Sequence, residues 1–119
     1  MKRIHQILTA LVILLGVVHV AMTPVFFDEF AERVMWFVAQ GLMGIVVGFL
    51  NIAAARAAWR DPVTTRLCHL ANGLSLVFIG LYTVVDRALP SWVGIGLFVL
   101  LTISALVLDR QAGQGRQRP

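Results

Sequence analysis

Apolar residues fall in four runs, about 4–22, 34–56, 66–85 and 90–108, separated by short polar stretches that hold most of the charge. Each run is about as long as a ~30 Å hydrocarbon core demands at ~1.5 Å of helix rise per residue. The pattern therefore predicts an all-α protein, an antiparallel four-helix transmembrane bundle with short connections. Thr23-Pro24 is expected to end the first helix, because proline disfavours the helical conformation of the preceding residue and cannot continue the backbone ladder. Asp61-Pro62 is read as a second proline stop, and Pro90 opens the fourth run at a place suited to a first helical turn. Between the first two runs, Phe26, Phe27 and Phe30 alternate with Asp28, Glu29 and Glu32, which suits a loop or short turn at headgroup depth. Glu29 and Arg33 are spaced to pair once the second helix begins. The stretch 109–119, DRQAGQGRQRP, has no residue able to anchor it and is expected to be a disordered tail.

In lipid, apolar residues carry no facial information, so the alignment of small and polar residues is what identifies helix contacts. In the first run His5, Thr9, Gly16, His19 and Thr23 keep one face by steps of three and four. In the second, Gly41, Gly44, Gly48, Asn51 and Ala55 form a stripe, with Gly44 and Gly48 making a G-x-x-x-G step that permits close backbone approach. His69, Asn72, Thr83 and Asp86 share a seam on the third. These faces, with Gly16, the three glycines of the second run, Asn51 and Asn72 as the packing residues, are expected to meet inside the bundle. In the fourth run Gly94, Gly96, Thr102 and Ser104 scatter around the circumference, so that helix is read as a lipid-facing wall or an oligomer contact.

Composition agrees with a lipid solvent: 59% of residues are hydrophobic, 13% are charged and the mean hydropathy is +0.84. The net charge of +4 does not imply nucleic acid, because the basic residues lie between the apolar runs and on the tail instead of along one helical face. Their distribution sets an orientation. With the N-terminus inside, Lys2, Arg3, Arg56, Arg60, Arg66, Arg110, Arg116 and Arg118 are cytoplasmic and only Arg33 and Arg87 face out, so both termini are expected in the cytoplasm. Met-Lys-Arg followed by an apolar run has the look of a signal peptide, yet no small-x-small cleavage site follows, and the run is read as an uncleaved anchor. The single Cys68 excludes an internal disulfide and any Cys-x-x-Cys pair; it is read as a small apolar filler.

No phosphate loop, nucleophile elbow or His-Glu-x-x-His helix is present, so no catalytic or metal-ligand set is assigned. The best site candidate lies in the outer half of the bundle. His19 is about one turn from the end of its helix, Gln40 is at a comparable depth in the antiparallel second span, and Tyr82 and Asp86 reach that level from the third. One reading is an interhelical hydrogen bond, such as His19 to Gln40, that fixes register; the other is a pocket for a quinone, lipid or other amphiphile. A bis-histidine haem needs two axial ligands at one depth. His19 and His69 differ by about 10 to 20 Å along the bundle, leaving only His5 and His69, near the cytoplasmic side, as a pair that approaches.

The string L-G-x-x-H-x-x-x-T-P-x-F-F from Leu15 to Phe27, followed by Trp36-Phe37, Gln40-Gly41-Leu42 and Gly48-Phe49-Leu50-Asn51, resembles a group of small uncharacterised bacterial four-helix integral membrane proteins. Size and span count are also similar to DoxX-like proteins. The resemblance implies a multi-pass protein of the bacterial inner membrane and a special role for His19, Thr23, Trp36 and Asn51, and it brings no activity. Thr23 and Trp36 thus join His19, Gln40, Tyr82 and Asp86 as ligand-binding candidates. The reading preferred on sequence is a non-enzymatic interaction or accessory subunit that associates with itself or with a larger membrane protein, with the amphiphile-binding or redox module as the alternative.

Overall fold

A computed structural model describes residues 1–116. The chain forms α1 (Lys2–Ala21), a short α2 (Thr23–Phe26), α3 (Glu32–Arg56), α4 (Pro62–Val85) and α5 (Leu89–Arg116), with no strand among the described residues. α1, α3, α4 and α5 are long and apolar enough to cross a membrane. Each of these four packs against two others: α1 on α3 and α5, and α4 on α3 and α5. The inward faces carry Leu8, Val12, Val47, Phe98 and Leu101 at the centre, and Ala54, Cys68, Ala105 and Leu108 around the Trp59 ring toward the end where α1 begins. Large apolar side chains such as Leu14, Phe49, Leu74 and Leu100 point outward on all four helices, a surface that water would disfavour.

The tightest packing is between α1 and α3, where glycines remove the side chains that would hold two backbones apart. A Cβ at Gly16 would stand 2.5 Å from the Gly41 carbonyl oxygen, and one at Gly41 would stand 2.8 Å from the Gly16 carbonyl oxygen. A Cβ at Gly48 would strike the Ile13 side chain, whereas at Gly44 it would make only ordinary contacts from 3.5 Å. The close approach therefore rests on Gly16, Gly41 and Gly48. Outside this contact, Gly73, Gly94 and Gly96 have open space where a Cβ would go.

Several helix boundaries differ from the sequence expectation. α1 ends at Ala21, before Thr23-Pro24 as expected, but a short helix follows at once: Met22 stays right-handed helical, and Pro24 sits in the first turn of α2, where its missing N–H is unneeded. α4 begins at Pro62, four residues before the apolar run, because Asp61 caps it. The Asp61 carboxylate accepts hydrogen bonds from the Thr64 amide at 2.8 Å and from the Thr64 hydroxyl. Glu29 lies outside α3, which starts at Glu32, so the helical spacing to Arg33 never forms; Arg33 lies over the Phe27 ring instead, 5.7 Å from its centroid. α5 is neither a lipid-facing wall nor an oligomer contact alone, since Phe98, Leu101, Ser104, Ala105 and Leu108 bury one of its faces in the bundle. It also continues to Arg116 through most of the stretch expected to be disordered. Asp109 is tied to His69 and Ala112 packs on the Trp59 cluster, which carries the helix past the apolar run; residues 117–119 lie outside the described residues.

α3 ends on two left-handed residues, Ala58 (φ 50°) and Trp59 (φ 58°), each costing about 1–2 kcal/mol for an L-residue. The Trp59 amide closes the turn on the Ala54 carbonyl at 2.9 Å, and the indole is buried to 6% exposure. Burial of so large a ring offsets the backbone cost.

Gly16→Ala should destabilise the fold by about 1–3 kcal/mol through overpacking, while Gly73→Ala should be neutral or stabilising by up to about 1 kcal/mol; unfolding in detergent micelles measures both. The Asp61 cap should be pH-dependent. Its hydrogen bonds to Thr64 hold the carboxyl below the usual carboxylate range, so the cap contributes above the unfolded value of about 4 and is lost as pH falls through the lower folded value. The protection factor at Thr64, its exchange relative to the intrinsic rate at the same pH, should fall on acidification, and Asp61→Asn should abolish that acid dependence.

Candidate functional site

At the end where α1 finishes, a cavity of about 500 Å³ opens between the helices. His19 lines it from α1, Gln40 from α3, Tyr82 from α4, and Asp86 from the α4–α5 turn. Helix ends place these groups together: His19 lies one turn beyond Gly16 on α1, and Gln40 immediately precedes Gly41 on α3. The imidazole of His19 stacks on Phe37, with ring centroids 3.7 Å apart and planes 21° from parallel. Phe26 and Phe27 meet Phe37 edge-on, at 6.0 and 5.2 Å. One wall of the cavity is thus aromatic.

The polar groups differ in how they are occupied. Asp86 is engaged, accepting from the Ser91 hydroxyl at 2.9 Å and the Ala88 amide at 3.3 Å, so it fastens the entry into α5. His19 is not: its Nε2 is buried without a hydrogen-bond partner among the described residues. The His19–Gln40 bond expected on the register-fixing reading is absent, because the ring is turned flat against Phe37. The ring thus lines the cavity with one nitrogen whose hydrogen-bonding capacity is unmet.

Two candidates fall outside the cavity wall. Thr23 is one turn beyond His19, and its hydroxyl returns to the His19 carbonyl at 3.3 Å. Trp36 is 56% exposed, its Nε1 donating to Glu32 at 3.3 Å; one residue from Phe37, it is rotated about 100° away from the wall that Phe37 forms. Conversely, Phe26, Phe27, Phe37, Ser91 and Phe98 line the cavity and were not identified from sequence. The phenylalanines are apolar like their outward-facing neighbours, and α5 offered no polar seam from which to read its inward face.

A second polar cluster occupies the opposite end. Asn51 and Asn72 exchange amide hydrogen bonds at 2.9 and 3.3 Å across α3 and α4. Asn51 also donates to the Val47 carbonyl at 2.9 Å, and Asn72 approaches the Cys68 sulfur at 3.9 Å. Nearby, His5 Nδ1 meets the Ser104 hydroxyl at 2.8 Å and His69 Nε2 meets Asp109 at 3.0 Å. The Trp59 indole stands between the two histidines, 5.4 Å from His5 and 5.9 Å from His69. A haem ligated by that pair would need the space the indole fills, so these residues do not fit one. No group of three or more His, Cys, Asp or Glu side chains converges among the described residues.

Compared with known proteins, the chain matches no family model, no curated protein and no solved structure.

The Asn51–Asn72 exchange should behave as one unit. Asn51→Leu alone leaves a buried amide unpaired and should cost about 1–2 kcal/mol. Asn51→Leu with Asn72→Leu should cost less than the two single changes summed, as a double-mutant cycle of unfolding free energies would report.

Proposed function

We propose that this protein is a small binding module of the bacterial inner membrane, an antiparallel four-helix transmembrane bundle with both termini cytoplasmic, that holds an amphiphile in the cavity at its outer end. Membrane placement is supported by four helices of sufficient length and apolarity and by the outward apolar belt. Orientation is supported by the concentration of Lys and Arg at the end where α1 begins.

The observation that carries the functional reading is the buried, unpartnered Nε2 of His19 on the wall of a cavity of about 500 Å³. Burying a hydrogen-bonding nitrogen with no partner costs about 1–3 kcal/mol, and a ligand whose head reaches it recovers that cost. The flat aromatic wall around Phe37 suits a planar head, and the volume suits a ring with part of its tail. A quinone meets both demands, its ring stacking on the phenylalanines and a carbonyl oxygen accepting from the imidazole N–H. Gln40 and Tyr82 supply further hydrogen-bonding groups on the same wall. The chemistry assigned to the site is binding; a redox role would add proton transfer at His19.

The rival reading, an accessory subunit built for self-association or for docking on a larger membrane protein, drew on the glycine stripe of α3. That stripe is covered by α1 within the chain, so it offers no free small-residue surface for a partner.

A short-tailed benzoquinone should bind the purified protein at one site and quench Trp36 or Trp92 fluorescence. His19→Ala should weaken binding about 2- to 10-fold, the net worth of one hydrogen bond, with the helical signal unchanged. Equal binding by the His19→Ala protein, or binding no tighter than partition into empty micelles, would sink the reading.

A further inference from the structure

The end opposite the quinone cavity has an unexplained groove of its own. Between α1 and α3 an apolar channel of about 620 Å³ runs from His5 and Gln6 past Ile13, Leu14 and Ile52 to Val17. A second hollow of about 450 Å³, lined by Lys2, Trp59 and Arg60, adjoins it, with His5, Gln6 and Ala55 in the walls of both. The first supplies an apolar arm and the second a cationic mouth.

Three features indicate what this groove takes. First, from Gln6 to Val17 the apolar arm rises about 16 Å at ~1.5 Å per residue, close to half of a ~30 Å hydrocarbon core and so to the depth of one leaflet. Second, Lys2 and Arg60 in the mouth, and Arg56 at the edge of the arm, form no ion pair among the described residues, where His69–Asp109 is the single one. The nearest acid in sequence, Asp61, is already held by Thr64. Third, His5, only 1% exposed and held at Nδ1 by the Ser104 hydroxyl, forms a fixed wall shared by the arm and the mouth.

We infer that this groove is a binding site for one anionic glycerophospholipid of the inner leaflet, its phosphate between Lys2 and Arg60, its glycerol region against His5 and Gln6, and one acyl chain along Ile13, Leu14 and Ile52. The site rests on the membrane placement proposed above and is independent of any ligand at His19, which lies at the other end of the bundle. A zwitterionic lipid has the same chains, but its cationic head group opposes the mouth. A free phosphate satisfies the mouth and leaves the arm without a chain.

The test is native mass spectrometry of the detergent-purified protein offered phosphatidylglycerol and phosphatidylcholine of identical chains. A one-to-one phosphatidylglycerol adduct is expected to predominate. Each cation near the phosphate is worth about a factor of five in affinity, so Lys2→Gln with Arg60→Gln should lower the preference roughly 30-fold. Arg87→Gln, which removes one positive charge at the other end, should leave it intact. Ala10→Trp, on the exposed lip of the apolar arm, should remove both adducts while the thermal midpoint holds. Equal adducts of the two lipids, a preference that survives the double substitution, or one lost equally in Arg87→Gln would overturn the site. Glycerol phosphate competing as well as the intact lipid would overturn the acyl-chain assignment and leave an anion site. A protein that stays soluble and monodisperse without detergent would overturn the membrane placement on which both sites rest.

Discussion

Where Gly16 meets Gly41, the backbones of α1 and α3 come closer than any pair carrying side chains allows, and most of the geometry at the end where α1 finishes depends on that approach. In a lipid setting there is no hydrophobic gain from bringing two apolar helices together, so association depends on van der Waals contact and on bonds between polar groups. Two glycines facing each other carbonyl to Cα supply the first. The same contact fixes the rotation of both helices, and with it the direction of His19 and of Phe37. With a methyl group at either glycine the helices would have to separate, and the 3.7 Å stack of His19 on Phe37 would be lost with the contact.

The other end is set by polar pairing instead. Asn51 and Asn72 each give and receive a hydrogen bond, which fixes α3 against α4 in register as well as rotation, because a slip of one residue would break both bonds. His5–Ser104 ties α1 to α5 and His69–Asp109 ties α4 to α5. Trp59 enters between the two histidines from a left-handed turn, an arrangement that requires α3 to stop where it does. One end is thus a close steric fit and the other a bonded polar cluster, and the cavity lies at the end without hydrogen bonds between the long helices.

Four helices were legible because their signal is the length of apolar runs, which needs no knowledge of neighbours. The depth of His19, Gln40, Tyr82 and Asp86 was legible too, since counting residues from helix ends gives height directly. Rotation was legible only where small or polar residues mark a face, which covers α1, α3 and α4 but leaves α5 unassigned; its inward face is marked by Ser104 amid Phe98, Leu101, Ala105 and Leu108, a pattern that lipid-facing residues mimic. The end of α5 was illegible for another reason. Composition reports whether a segment can anchor itself, and Asp109 is anchored by a partner forty positions away, His69. Trp36 was a candidate through the resemblance alone, whereas a single residue's rotation around the helix decides that Phe37, not Trp36, meets His19.

Satisfaction of hydrogen-bonding capacity separates the polar residues that hold the fold from those that await something. Asn51 and Asn72 satisfy one another, Thr9, Thr83 and Thr102 return their hydroxyls to carbonyls one turn back, and Asp86 is occupied by Ser91 and Ala88. These are complete without a ligand, and each lowers the energy of the folded chain alone. His19 is different, since its buried Nε2 has no partner among the described residues while the ring lines an open cavity; Thr65 Oγ1 and His69 Nδ1 are also unmet, away from that cavity. A residue kept only for packing would be better served by phenylalanine or leucine, which fill the same space without the desolvation cost of an unmet nitrogen. A ligand head group that reached His19, as proposed, would remove that cost.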